Sequence, residues 1–130
     1  MAAGKARRNE LMASLESFAL GLPGAWPDNP WGDSVVKVGK KIFVFLGDGA
    51  ENSVITVKVP ESHDHAMSFA GAAPTGYGLG KAGWVTIPVG SLGGDDAEVL
   101  LDFVEESYRT IAPQRLIKEL DANNDAGSDG

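Results

Sequence analysis

Three stretches of this sequence carry side chains of the kinds that do chemistry. In Ser62-His63-Asp64-His65 a hydroxyl, two imidazoles and a carboxylate are consecutive, which invites a hydrolytic triad or a metal site. Adjacent side chains diverge, however, and a working nucleophile, base and orienter are brought together across a fold rather than along the chain. His63 and His65 stand two apart, so on a helix they face different ways. A zinc or nickel ion could take both only from an extended or frayed segment. A solvated helix start accounts for these residues. The second stretch, Gly78-Leu79-Gly80-Lys81-Ala82-Gly83, spells GxGxxG, and Trp84-Val85 completes the longer string of a kinase glycine-rich loop. A dinucleotide fingerprint lies between a strand and the helix whose N-terminus receives the pyrophosphate, whereas strand-like sequence follows here. A kinase also needs a catalytic loop and a metal-binding Asp motif, which this short chain lacks. The acidic pairs Asp95-Asp96 and Glu105-Glu106 fall at helix ends or exposed faces, where solvation explains them without acid–base work. No catalytic constellation stands out, and no catalytic, cofactor or metal residue is assigned.

The third group is cationic. Lys37, Lys40, Lys41, Lys58 and Lys81 fall among sheet-forming segments, with Trp84 close to the last of them. Cations beside an aromatic are what single-strand binders use to hold phosphates while a base stacks. Lys37 and Lys58 could equally act as charged guards on strands, with Trp84 an anchor in the core or at its rim. Overall charge opposes a broad electrostatic footprint: 11 basic against 18 acidic residues give −7. A nucleic-acid contact must therefore be a local patch.

The elements that would position these residues fit one domain. A chain of 130 residues, 43% hydrophobic and 22% charged, has enough apolar material for a single core. It contains no cysteine, which excludes disulfides, thiol nucleophiles and cysteine-based zinc or iron–sulfur sites. No apolar run approaches a membrane span, and the charged start lacks the apolar segment of a signal peptide, so a cytoplasmic protein is expected, with no membrane partner.

Leu11, Leu15, Phe18 and Leu22, flanked by Met12 and Ala19, share a helical face, and Gly21 to Gly24 provides the stop. Three strand-like runs follow: Val35 to Val38, Ile42 to Leu46 and Val54 to Val59. With Gly39-Lys40 as a two-residue turn, Val38 faces Lys41, Lys37 faces Ile42 and Val36 faces Phe43. That register puts Val36, Val38, Phe43 and Phe45 on the core face. Val35, Lys37, Ile42, Val44 and Leu46 then lie on an outer face too apolar to be left fully in water. A short helix is expected within Pro60 to Ala70, then a glycine-rich loop and a fourth strand, Trp84 to Val89. Ala97, Leu100, Leu101, Val104, Tyr108 and Ile111 define the clearest helix, and Leu116, Ile117 and Leu120 dock a short final one. Residues 1–120 form the expected domain, and 121–130 an acidic, disordered tail. The fold class is α+β, an antiparallel sheet of about four strands packed against N- and C-terminal helices.

The ordered pieces Leu22-Pro23-Gly24-Ala25, Trp31-Gly32, Val36 to Phe43, Val57-Lys58-Val59-Pro60-Glu61, Lys81 to Trp84 and Ser107-Tyr108 together resemble the YjbR/MmcQ family. The resemblance runs from about residue 10 to about residue 120. It implies a CyaY-like α+β domain and a DNA-binding label inferred from likeness to a double-wing fold. It brings no catalytic residues and no cofactor.

The leading expectation is a small non-enzymatic domain that contacts DNA or single-stranded nucleic acid through Lys37, Lys40, Lys41, Lys58, Lys81 and Trp84. The alternative is a protein-interaction or small-ligand module using Val35, Ile42, Val44, Leu46 and Trp84, as a monomer or weak homodimer. An enzyme ranks third.

Overall fold

A computed structural model describes residues 2–29, 34–46, 54–76, 82–88 and 96–128. The strands are β1 (Ala25–Asp28), β2 (Val35–Val38), β3 (Lys41–Phe45), β4 (Val54–Lys58), β5 (Ala73–Pro74) and β6 (Trp84–Pro88); the helices are α1 (Ala2–Leu20), α2 (His63–Met67), α3 (Asp96–Ile111) and α4 (Gln114–Ser128). All strand pairs are antiparallel, in the order β1-β2-β3-β4-β6-β5. The α+β class stands, but among the described residues the sheet has six strands, not about four. The two extra strands are its edges, and both contain proline, Pro27 and Pro74. Proline is tolerated there because an edge leaves some N–H positions unpaired, and for the same reason these segments carry no strand-like signature.

The β2–β3 turn is as expected, but the register is not. Val38 pairs with Lys41 and Lys37 with Ile42, after which Val36 pairs with Val44 and Val35 with Phe45. Phe43 is the extra residue of a β-bulge. One inserted residue reverses the faces of everything beyond it. Val44 and Leu46 therefore join the core cluster with Val36, Val38 and Phe43, while Phe45 leaves it to meet Trp84 edge-on at 5.6 Å. Val35 is buried as well, so the apolar outer face of Val35, Ile42, Val44 and Leu46 does not exist.

Across the sheet, Val57, Val85, Ile55 and Ile87 point into the same core, against Leu100, Phe103, Val104 and Tyr108 of α3. The T-shaped contact of Phe43 with Tyr108, at 5.3 Å, ties the bulge to that helix. On the opposite face Thr56, Thr86 and Thr75 link their hydroxyls at 3.0 and 2.9 Å. Helix α1 contributes Leu15 and Ala19, and Leu22 just beyond it, to the core. The chain then reverses at Gly24, whose φ of +73° needs a glycine and whose open side receives the Leu116 side chain of α4. Helix α4 runs through Ser128, into the stretch 121–130 that was expected as an acidic tail. Docking of Leu116 and Leu120 supplies the nucleus from which a helix extends at little further cost. Arg109 also reaches from α3 to the Asp121 carboxylate at 2.7 Å.

Candidate functional site

The site begins where two strands part. The β3–β4 ladder pairs Phe45 with Thr56 and Val44 with Val57, then stops. At the next step the Lys58 N–H donates to Ser107 Oγ (2.9 Å), and the Ser107 hydroxyl donates to the Phe43 carbonyl (2.5 Å). A side chain from α3 thus stands in for a ladder hydrogen bond, keeping both buried backbone groups satisfied while the strands spread. The bulge at Phe43 and the bridge by Ser107 together open this end of the sheet.

Over that opening lies a groove of about 410 Å³. Lys37, Lys40, Lys41 and Lys58 stand around it, Ile42, Phe45 and Trp84 form its apolar part, and Thr110 and Ile111 close the side toward α3. Five residues singled out from sequence, Lys37, Lys40, Lys41, Lys58 and Trp84, therefore converge on one groove. Lys81 lies outside the described residues. The lysines do not project wholly from the face away from the helices; they gather at a sheet end where α3 runs out.

Their electrostatic situations differ. Lys37 Nζ is 2.7 Å from Asp28 Oδ2 and lies 5.2 Å from the centroid of the Trp26 ring. That lysine holds the Asp28 carboxyl below the usual carboxylate range, aided by the Asn29 N–H at 2.8 Å. Among the described residues, Lys40, Lys41 and Lys58 have no carboxylate within ion-pair distance. Trp84 is only 8% exposed, so it is a floor for the groove and offers no free ring face for stacking.

The exposed aromatic is a different one. Among the described residues Trp26, at 41%, is the large apolar side chain left in solvent. Its indole N–H donates to the Gly39 carbonyl at 2.9 Å, and β1 pairs it with Lys37. This anchors the indole beside the β2–β3 turn. Sequence reasoning missed Trp26 because its neighbours read as a Trp- and Pro-rich connection. Ser107 was missed too, although a serine one step before Tyr108 on the apolar stripe of α3 was a signal that a hydroxyl is needed inside.

The remaining motifs have structural roles. His65 stacks on Phe69 at 5.8 Å and meets Phe103 edge-on at 5.4 Å, while His63 Nδ1 is 3.6 Å from the Asp64 carboxylate. Ser62 belongs to a tether of the loop before α2 to α3: Glu106 accepts the Glu61 and Ser62 N–H groups at 3.0 and 3.1 Å and the Ser62 hydroxyl at 2.5 Å. The described part of the GxGxxG stretch ends in Gly83, at φ +98°, and enters β6, not a helix. On the other side of Thr110 a second groove, of about 460 Å³, is lined by Glu61, Asp102, Glu105 and Glu106 with Arg109. Arg109 is engaged there by Glu105 at 3.0 Å and by Asp121.

The order of elements, the bulged hairpin and the closing helices invite comparison with known proteins, and the YjbR family model matches residues 20–110. The chain belongs to the YjbR family. The YjbR match covers every groove residue up to Thr110 and leaves out only Ile111. A Deinococcus radiodurans protein, DR2400, whose crystal structure carries the domain DUF419, superposes with a TM-score of 0.64 at 26% identity, over 83% of this chain and 86% of that one. No curated protein matches. No described helix is long and apolar enough to cross a membrane.

Proposed function

We propose that this YjbR domain binds a single-stranded segment of nucleic acid in the groove, with phosphates on Lys40, Lys41 and Lys58. The observation that carries this reading is that three lysines with no carboxylate partner among the described residues border one groove in a chain of net charge −7. In so acidic a protein, cations left unneutralised and gathered in one place favour an anionic ligand. Trp26, amphipathic and fixed by its bond to Gly39, is the surface on which a base stacks, a role its exposure suits better than that of Trp84. An unpaired strand fits better than a duplex. The β2–β3 hairpin is flanked by β1 and β4, so it is no free ribbon for a major groove about 12 Å wide. A cytoplasmic setting, in which such strands occur, goes with this reading.

Fluorescence anisotropy of labelled single- and double-stranded oligonucleotides across a salt series tests it. Each phosphate contact to a single strand contributes about −0.7 to the slope of log affinity against log salt. The joint Lys41→Gln, Lys58→Gln change is therefore expected to flatten that slope by about 1.4. Trp26 emission should quench on binding. No binding even at low salt removes the proposal.

A further inference from the structure

Resting on the nucleic-acid reading, we infer that the site accepts only about three consecutive nucleotides, because carboxylates close it at both ends. Lys40 and Lys41 border the groove from the β2–β3 turn and the start of β3, and Lys58 from the end of β4. With no carboxylate partner among the described residues, these three lysines can neutralise about three phosphates.

Thr110 is a shared wall between the basic groove and the acidic one. Its hydroxyl donates to the Glu106 carbonyl at 2.7 Å, one helical turn back, a rise of about 5.4 Å. The Glu106 carboxylate is fixed by the Glu61 and Ser62 amides, so it cannot swing away without leaving both amides unpaired. Glu61 and Asp102 line the same acidic groove, and the charge of Arg109 is already matched by Glu105 and Asp121. The field of these charges reaches about a screening length, some 8 Å, and the two grooves share Thr110 as a wall. A phosphate carried past Thr110 is repelled. At the other end Asp28 holds Lys37, so the row of cations finishes on an ion pair. Site sizes for open single-strand grooves run to about 4–16 nucleotides per domain; the flanking carboxylates make this one shorter.

The test is a series of oligothymidylates from the dinucleotide to about sixteen nucleotides, measured by anisotropy at several salt concentrations. For the unaltered protein the salt slope should reach about −2 by the tri- or tetranucleotide and stay there. Affinity should then rise only with the number of places a short site can occupy on a longer strand. In the Glu61→Lys, Asp102→Lys protein, both changes being at exposed positions, the slope should keep steepening with length. A slope that steepens throughout the series in the unaltered protein overturns the inference, as does a charge-reversed protein that still levels off at the tetranucleotide. Absence of salt-dependent binding at every length would instead sink the nucleic-acid reading beneath it.

Discussion

Ser107 and Lys58, 49 positions apart in the chain, are joined by a 2.9 Å hydrogen bond from the lysine amide to the serine hydroxyl. The lysine that borders the groove is thus fixed at its backbone by the helix behind the sheet. Replacing Ser107 with Ala leaves the Lys58 N–H and the Phe43 carbonyl without their shared partner. An unsatisfied buried group costs about 1–3 kcal/mol, so a loss of about 2 kcal/mol in urea unfolding is expected. Exchange of the Lys58 amide proton should accelerate in the same variant. Unfolding within about 0.5 kcal/mol of the parent would mean that the strands close without help.

Asp28 offers a pH-dependent test. Its carboxyl titrates below the usual range, first because Lys37 hydrogen-bonds it and second because the Asn29 amide does. A depressed folded-state value stabilises the fold above the unfolded value near 3.8, and that contribution is lost as pH falls through the lower, folded value. Asp28→Asn should therefore lose that contribution at neutral pH, a small one for so exposed a pair, and flatten the acid end of the stability profile, the two proteins converging below about pH 4. It also releases Lys37. Oligonucleotide binding should strengthen, with a salt slope steeper by about 0.7. Weaker binding would show that Lys37 needs its carboxylate in order to be held in place.

Tyr108 gives a second titration of opposite sense. Its hydroxyl donates to the Pro23 carbonyl at 2.6 Å, and burial, with Glu119 adding, raises its pKa above the ordinary value of 10.0. A raised folded-state value contributes stability that is complete below about pH 10 and declines as pH climbs through the folded value. Tyr108→Phe keeps the ring against Phe43 and should lose about 1 kcal/mol at neutral pH. It should also lack the tyrosine-linked part of the alkaline decline. An identical alkaline limb in both proteins would place that decline on other groups.

Periodicity makes most of the architecture legible in the sequence. Leu100, Val104 and Tyr108 at helical spacing, and Val85 with Ile87 at strand spacing, all lie in the core. The bulge was hidden because Ile42 to Leu46 is apolar at every position, so alternation could not say which of Phe43, Val44 and Phe45 faced inward. Both Phe43 and Val44 do, which only an inserted residue permits. β1 and β5 escaped because both are short and, Trp26 apart, consist of Ala, Pro and Asp, which carry no strand preference. Of the site, the cations could be listed, since a lysine inside a strand is conspicuous. Their meeting depends on the Ser107 bridge and on where α3 ends, and a linear sequence encodes neither.

The two prolines at the margins of the sheet bear on how copies of the molecule meet. Pro27 and Pro74 remove an N–H from each outermost strand, and the β5 margin is only two residues long. Growth of the sheet from one copy into another, the usual route to fibres and swapped dimers, is disfavoured on both flanks. Crowding copies along a shared polymer would therefore bring them side by side without knitting their backbones together, and each could still leave on its own.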